Sequence, residues 1–554
     1  MWVNDEFAEH YGDLLTGSYD CVDRIVLNAY YPLGSNPGGF RTWWRRLHDG
    51  DETRLDDTHL MRMAGRFARR VHGWAQANQV PVIYCKAGER KHLIAEQYLV
   101  EHPGLGRGVF LVVVGKAPAT VWKVSRSSAG VIRGLEKQRQ YVNHYSFHIL
   151  DPDWGHITIK MSGHPPFGAQ VMLNGHEYVT CLAAAAGIDI AKEGNCFTRI
   201  ADPDRLAQLA DTLSRPGITG RLAQLIDRWI YSACLCFGLD VAEQDYSWFR
   251  YSYSVYQLEY SRNLLFASGR AMERVFDTVV DRTRTRLDVP TLRTLFGVGA
   301  RPHRKPGQEL NLSQAVMIEK PKWNLTIFKI NFGKITLKGY TKGEHVLRFE
   351  AIVHNTKALR TGRVLEKFPQ ITARLAGIVD RFTSMLDCVD TSYLPDGILE
   401  DLPAPSMLGA TRIGGIDTNK PRIRAALSAV TALAPAPDGF TVSDFARKVR
   451  DRTGQTENEY TIRQAAYDLR KIRGKNLLDK PARTRRYHVR PESARTIAGI
   501  ITLRDQVIAP ILAGVRRPSS GRPPNTKTRI DRDYDALHAG MRNLFTDLGI
   551  RTAA

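Results

Sequence analysis

The sequence predicts a multidomain protein of mixed α/β and α+β class. At 554 residues, the chain is longer than a single hydrophobic core supports. Strand and helix patterns alternate over residues 23–125, and strand patterns return at 141–180 and 325–353 before a mostly helical C-terminal part. With 43% hydrophobic residues, the chain can bury several cores, which excludes a disordered protein.

Shifts in pattern divide the chain into six predicted parts. They are an N-terminal α/β domain (1–140), a central α+β domain (141–290), a β-meander plus helix packed on the central domain (291–392), a linker (393–421), a compact helical unit ending in a hairpin (422–490), and C-terminal helices with a basic tail (491–554). The linker is placed where Pro and Gly are frequent and periodicity is weak.

The N-terminal domain is predicted from alternating apolar runs. Residues 24–30, 80–85 and 109–114 have strand patterns, whereas residues 60–74 and 92–99 have apolar positions at helical spacing. This order favours a sheet that is at least partly parallel.

The later segments carry different signals. Residues 141–180 predict twisted strands, and residues 204–285 predict mostly helix. Three strands at 325–331, 334–340 and 346–353 are separated by glycines and form a predicted meander, which a helix at 365–387 follows.

Charge points to a polyanionic partner. The net charge is +21, and residues 411–554 hold 28 lysines and arginines against 14 acidic residues. DNA is the expected partner, with structured RNA as the alternative. A basic surface that only maintains solubility is the simpler explanation.

The same counts exclude other classes. Seven scattered cysteines without a paired motif argue against a disulfide framework or a zinc knuckle. The N-terminus resembles no signal peptide, and no apolar run reaches the length of a membrane span. We therefore expect a cytoplasmic protein without a membrane partner, and its oligomeric state stays open.

The strongest local pattern lies in residues 422–490. Helices are predicted at 422–433, 443–451 and 460–474, followed by a turn at 479–486 between two short strands. The third helix is expected to bury Ile462, Ala466, Leu469 and Ile472. This order resembles the winged-helix family, in which the third helix enters the major groove and the wing contacts phosphates.

The winged-helix resemblance implies DNA contacts at eight residues. Base or groove contacts fall to Arg463, Gln464, Tyr467 and Arg470, and phosphate contacts to Lys471, Arg483, Arg485 and Arg486. A role in protein contacts is the alternative for such a module.

A candidate metal and cleavage site occurs at Asp151, Asp153 and Lys160. Two carboxylates near a turn, followed by a lysine on a strand, are suited to a divalent cation and a scissile phosphate. The order is similar to that of restriction-type nucleases, with Thr158 where that family has an acidic residue. The alternative is a plain hairpin turn.

A second candidate is the pair His176 and Glu177, which follows Asn174 and Gly175. The pair could bind metal or act as a general base. An Asn-Gly hairpin turn explains the first two residues without any function.

A third candidate lies in residues 250–263, where Tyr253, Tyr256 and Tyr260 would share one face of a helix near Glu259. Packing with hydrogen-bonded hydroxyl groups is the structural alternative. Together with Tyr340-Thr-Lys-Gly and Leu347-Arg-Phe-Glu350, this segment resembles plasmid and filamentous-phage rolling-circle replication initiators. That resemblance implies a nucleophilic tyrosine and a metal held by His and acidic side chains, although the family's His-hydrophobic-His motif is absent.

Lys86, Arg90 and Lys91 lie between a predicted strand and a predicted helix. A helix start with cationic side chains can contact nucleic-acid phosphates. The glycine spacing of a nucleotide-binding loop is absent, and a solvated helix start is the alternative.

These features predict a nucleic-acid-binding protein that cleaves or nicks DNA for a mobile element or replicon, with Mg²⁺ or Mn²⁺ as cofactor. The predicted catalytic residues are Asp153, Lys160, Glu177, Tyr256, Glu259, Tyr260 and Glu350, and the predicted metal ligands are Asp151, Asp153, His176 and Glu350. An RNA-protein effector and a non-enzymatic DNA-binding regulator are the alternatives. The chain as a whole also resembles a group of bacterial proteins, a resemblance that implies no activity.

Overall fold

The computed structural model describes residues 6–86, 88–286, 312–318, 326–390, 394–395, 397–434, 436, 439–509 and 529–547. The chain is mixed α/β and forms two compact units. Unit 1 comprises Met1–Thr278 and Glu309–Asp380, and unit 2 comprises Val279–Gln308 and Arg381–Ala554. These units differ from the predicted division because strands from residues 1–140, 141–290 and 291–392 pair into one sheet.

Unit 1 is built on a mixed sheet of eleven strands. The strands are β1 Leu15–Tyr30, β2 Val82–Tyr84, β3 Gly108–Arg126, β4 Ile132–Asp151, β5 Gly155–Ser162, β6 Ala169–Asn174, β9 Ser252–Phe266, β10 Leu312–Ile318, β11 Thr326–Phe332, β12 Ile335–Lys342 and β13 Val346–Val353. A separate small hairpin pairs β7 Ile190–Lys192 with β8 Phe197–Ile200. The order in the sheet is β10-β11-β12-β13-β9-β1-β6-β5-β4-β3-β2. The pair β2–β3 is parallel, as the sequence predicts, and the other described pairs in this sheet are antiparallel.

Helices cover both faces of this sheet. They are α1 Glu6–His10, α2 Pro37–Leu47, α3 Asp57–Ala77, α4 Lys91–Glu101, α5 Gly175–Ala185, α6 Pro203–Asp211, α7 Ile218–Ala233 and α8 Val241–Tyr246, with α9 Gly269–Arg286 and α10 Phe368–Asp390 crossing the sequence limits of the unit. On one face, Phe67 of α3 packs against Tyr145 of β4. On the other face, His148 of the same strand lies close enough to Lys91 of α4 for that charge to affect its pKa. Side chains of alternate strand residues therefore face opposite layers.

The predicted helix around residues 253–260 is wrong, because residues 252–266 form strand β9 between β1 and β13. Tyrosines at positions 253, 256 and 260 fit a helical period, but the segment also alternates in polarity and completes the backbone pairing of two neighbouring strands. Tertiary pairing therefore overrides the local periodicity. The remaining helices predicted within 204–285 are present as α6 to α9.

Asn174 is not in a hairpin turn. Its side chain accepts a hydrogen bond from the His176 backbone N–H at 2.9 Å and caps α5. The asparagine side chain satisfies a free N–H at the helix start, so the segment turns into a helix instead of a second strand. The predicted strands at 334–340 and 346–353 are confirmed as β12 and β13.

Unit 2 is mainly helical. It contains α11 Ile398–Asp401, α12 Pro421–Leu433, α13 Val442–Thr453, α14 Ile462–Gly474, α15 Pro491–Thr502 and α16 Arg529–Asp547, with the hairpin β14 Ser406–Leu408 and β15 Thr411–Ile413. Helices α12 to α15 share one core that includes Leu427, Phe445, Leu469 and Ile497.

Two details of unit 2 differ from expectation. Residues within 393–421, expected as a linker, contribute Leu402 and Ile416 to the core, because burial of these apolar side chains holds the segment against α14. Ile462, expected on the buried face of the third helix, is 47% exposed because it is the first residue of α14, beyond the reach of the core. The basic stretch at 516–524 lies outside the described residues.

Candidate nucleic-acid interface and polar sheet face

Helix α14 presents cationic and aromatic side chains to solvent. Thr461 caps its N-terminus, where the Thr461 hydroxyl accepts from the Gln464 backbone N–H and the Gln464 side chain accepts from the Thr461 backbone N–H. Arg463 and Arg470 are exposed, and Tyr467 is 45% exposed. The exposed side of α14 is therefore available for contacts with a partner.

A buried carboxylate connects α14 to its neighbours. Asp468 accepts hydrogen bonds from Arg422 of α12 at 3.0 Å and from the Tyr460 hydroxyl at 2.9 Å. Burial raises the pKa of Asp468, and the Arg422 guanidinium opposes that shift. These contacts fix the rotation of α14 about its axis, so that Arg463 and Arg470 point outward.

A turn of arginines follows α14. Phe440 and Tyr487 exchange two backbone hydrogen bonds at 3.0 and 2.8 Å, and Asp479 and His488 exchange two at 2.9 Å. The short segments at Phe440, Asp479 and Tyr487–His488 therefore lie side by side, and residues 480–486 form an exposed turn between the last two. The exposed arginines of this turn are Arg483, Arg485 and Arg486.

Three residues predicted to contact DNA already have partners within the unit. Arg486 Nη1 donates to the Gly439 carbonyl at 3.2 Å. Lys471 Nζ donates to the Gly415 carbonyl at 3.1 Å and lies 5.2 Å from the centre of the Tyr467 ring. The Gln464 side-chain oxygen belongs to the helix cap described above. Arg463, Tyr467 and Arg470 are therefore the freer candidates on α14.

A second set of polar residues lies on one face of the unit 1 sheet, which we call the polar face. It comprises Arg24, Asn28, Lys160, Gln170, Glu259, Lys338 and Glu350. Direct strand partners connect most of its members: Lys160 with Gln170, Gln170 with Asn28, and Lys338 with Glu350. The sequence separates these residues by up to 326 positions, and only strand pairing brings them together.

Two carboxylates meet on the polar face. The pKa of Glu259 is raised to about 7, first by burial and then by the nearby negative charge of Glu350. Lys338 Nζ lies 3.3 Å from the Glu350 carboxylate, and Arg24 and Lys338 both oppose the rise in the Glu259 pKa. The predicted catalytic residues Glu259 and Glu350 are thus neighbours, with cations beside them.

Next to Glu350, on the same face of β13, lies a buried network that sequence reasoning missed. The side chains of Asp23, His176 and Arg348 are all fully buried, and the Arg348 guanidinium is paired with Asp23 Oδ2. His176 Nδ1 lies 2.6 Å from Asp23 Oδ1 without the alignment of a hydrogen bond, and its Nε2 lies 3.3 Å from the Tyr19 hydroxyl. Arg348 Nη2 lies 3.8 Å from Glu350, so the network is in contact with the carboxylate pair on the same face of the sheet.

One signal in the sequence could have indicated part of this network. Arg348 and Glu350 are alternate charged residues in the otherwise apolar segment 346–353. Charges on the same side of a buried strand require partners. Nothing in the sequence indicates that Asp23, in a strand more than 300 residues earlier, supplies one of them.

The predicted site at Asp151 and Asp153 is a structural turn. Asp151 accepts backbone hydrogen bonds from Asp153 and Trp154 at 2.9 and 3.0 Å, and side-chain hydrogen bonds from Trp229 at 2.8 Å and Arg228 at 3.1 Å. The Asp153 side chain is 63% exposed. These contacts match the hairpin alternative.

Other predicted catalytic residues are dispersed. Glu177 is paired with Lys192. Tyr260 donates to Asp20 at 2.7 Å, on the face of β9 opposite Glu259. Tyr256 lies at a register shift between β9 and β1. Tyr260, expected beside Glu259, is therefore separated from it by the sheet.

The three cations predicted at the start of α4 behave differently from one another. Lys86 and Arg90 are exposed, and Arg90 is the N-cap of α4. Lys91 is half-buried, and its amine lies over Gly115 of β3. Only Lys91 is directed toward the sheet.

Asp151, Asp153, His176 and Glu350 do not form one metal site. Across the ranges that the structure describes, no three His, Cys, Asp or Glu side chains converge as ligands. Within those ranges, no helix has the length and apolar character needed to cross a membrane. No protein-family model, curated protein or solved structure matches the chain.

Proposed function

We propose that this protein binds duplex DNA through a winged helix formed by residues 421–490. The observation that supports this proposal is the coincidence of two basic features, the exposed side of α14 and the arginine turn, in one compact unit. The order of helices and short paired segments resembles that of winged helices, in which the third helix enters the major groove.

The charges of this unit suit the chemistry of DNA. Arg463 and Arg470 can donate to base edges or phosphates, and Tyr467 can pack against a sugar or a base methyl group. Arg483 and Arg485 on the turn fit phosphate contacts. The Asp468 contacts hold α14 rigid, which limits the entropy lost on binding.

Equilibrium binding to a duplex oligonucleotide library tests the proposal. We expect Arg470→Gln and Arg485→Gln each to weaken duplex binding about tenfold, and a phosphate-contacting arginine to lower the slope of log affinity against log salt by about 0.9. Arg532→Gln, an exposed arginine on α16, is the matched control. Unchanged duplex affinity in both test variants would exclude the winged helix as the DNA-binding surface.

A second proposed function is metal-assisted cleavage of the bound DNA at Glu259 and Glu350. The supporting observation is the proximity of these two carboxylates: burial first, and then the negative charge of Glu350, raise the pKa of Glu259 to about 7. A divalent cation would offset the repulsion between them, and Mg²⁺ and Mn²⁺ prefer carboxylate oxygens. Bound, the cation would polarise a phosphoryl oxygen, and Lys338 would hold the phosphate nearby.

Incubation of the full-length protein with labelled DNA and either Mg²⁺ or Mn²⁺ tests this second function. We expect Glu259→Gln and Glu350→Gln to abolish cleavage while duplex binding is retained. Asp153→Asn is the comparison, and we expect it to cleave normally. Cleavage that survives both glutamate substitutions would refute the assignment, and copurification of a nuclease-resistant RNA would favour an RNA-protein effector.

A further inference from the structure

A groove of about 600 Å³ crosses the unit 1 sheet at one end of the polar face. It is lined by β1, β3, β4, β5, β6 and β9 together with Arg363 and Val364. Such a volume is typical of sites for small ligands or ligand fragments. The described residues that line the groove include Lys160, His144 and Arg363 but no Asp or Glu.

The floor of the groove is a ladder of polar side chains. Lys160, Gln170, Asn28 and Ser254 are successive cross-strand partners on β5, β6, β1 and β9. Adjacent strands are about 4.8 Å apart, so the ladder extends about 14 Å across the sheet. It is a linear array of hydrogen-bonding groups that begins at a cation.

The cations of this region lack anionic partners. Lys91 Nζ and Arg363 Nε are buried without a hydrogen-bond partner in the structure. Lys91 lies over Gly115, the strand partner of His144, and its pKa is lowered by burial and by the charge of Lys160. Burial alone lowers the pKa of Lys160. Each shift shows that the cationic form lacks stabilisation, which a bound anion would provide.

We propose that this groove binds a single nucleic-acid strand, with one backbone phosphate beside Lys160 and Lys91 at one end of the ladder and another beside Arg363 at the other end. These phosphates would supply the acceptors that the buried donors lack. Tyr30, which lines the groove and is 40% exposed, provides a ring on which a base stacks. Asn28 and Gln170 provide amide groups for the sugar or base edge.

The single-strand site is independent of the winged helix, since every residue that forms it belongs to unit 1. The proposal therefore extends the proposed function but does not depend on it.

Fluorescence anisotropy with a labelled oligothymidylate tests the single-strand site. The full-length protein carrying Arg470→Gln is used, so that binding through the winged helix is already weakened. In this background we expect Lys160→Gln and Arg363→Gln each to weaken binding of the oligonucleotide about tenfold, and to lower the salt slope by about 0.7 for each lost contact. The matched control is Lys123→Gln, an exposed lysine on β3 that does not line the groove.

Two further measurements complete the test. Duplex affinity measured with Arg470 intact should not change in Lys160→Gln, which separates this site from the winged helix. If inorganic phosphate displaces the oligonucleotide at a concentration similar to that of the oligonucleotide itself, the ligand is a free anion and the proposal of a bound single strand is refuted. Oligonucleotide affinity equal to that of the parent in both Lys160→Gln and Arg363→Gln, with each variant folded by circular dichroism, would also overturn it.

Discussion

Replacing Arg348 with methionine tests the buried network of Asp23, His176 and Arg348 beside Glu350. In the native protein the Arg348 guanidinium pairs with the fully buried carboxylate of Asp23. The neighbouring imidazole cannot replace it, because burial lowers the pKa of His176 to about 3 and the ring is neutral at pH 7. Arg348→Met therefore leaves an unpaired buried carboxylate, and we expect a loss of about 3–5 kcal/mol in the free energy of unfolding of unit 1.

Urea unfolding monitored by tryptophan fluorescence is the suitable assay. All nine tryptophans lie in the sequence ranges of unit 1, so their emission reports this unit alone. The matched control is Arg199→Met, which breaks an ion pair with Asp189 in which the two side chains are 70% and 67% exposed. Exposed pairs contribute about 0–1 kcal/mol, so the control should unfold almost as the native protein does.

The pH dependence separates lost charge pairing from lost packing. Protonation neutralises an unpaired buried carboxylate, so the difference between Arg348→Met and the native protein should shrink from pH 8 to pH 5. A loss below about 1 kcal/mol, or a larger loss that is independent of pH, would refute the conclusion that Arg348 compensates Asp23.

Three further predictions concern other charged groups. Because the pKa of Glu259 is raised to about 7, its contribution to folding is fully present below the ordinary glutamate pKa and is lost as pH rises through 7. Glu259→Gln should therefore stabilise unit 1 by about 3 kcal/mol at pH 8 and by little at pH 4. Equal denaturation midpoints for the variant and the native protein at pH 8 would contradict this. Burial lowers the pKa of His148 to about 3. The neutral form of His148 is therefore compatible with folding at full stability above pH 6.5, and stability falls as the pH drops toward 3. At pH 5 the loss in the free energy of unfolding is about 2 kcal/mol. His148→Gln should therefore reduce the decrease in stability at acid pH. An unchanged decrease would show that burial of His148 does not cause it. Asp468→Asn removes the charged acceptor of Arg422 and Tyr460, so we expect faster amide hydrogen exchange in α14. Asp451→Asn is the control. Native exchange rates in Asp468→Asn would show that Asp468 does not hold the helix.

Local patterns were sufficient for most helices and strands. Residues 24–30, 109–114 and 346–353 are strands as predicted, and residues 422–433 and 460–474 contain helices as predicted. In each case apolar periodicity and the capping or turn residues agree. Residues 252–266 are the exception, because aromatic residues at helical spacing also satisfy a strand.

The carboxylate pair was predicted only in part. Glu259 and Glu350 were named as catalytic candidates because the segments that contain them resemble parts of rolling-circle replication initiators. Their proximity, and the separation of Glu259 from Tyr260, follow from the register of β9 against β13. Register depends on long-range pairing, which no local window contains.

The sequence by itself determined a basic multidomain chain, the positions of most of its elements, and a helical unit with an arginine turn near the C-terminus. These properties depend on composition and on contacts between residues close in the chain. Only the tertiary structure decided that strands from three predicted domains form one sheet, that Asp23 meets Arg348, and that Lys160 and Arg363 line one groove. Those contacts join residues up to 325 positions apart, and the free energy that selects them comes from burial and charge pairing in the folded chain, not from local preference.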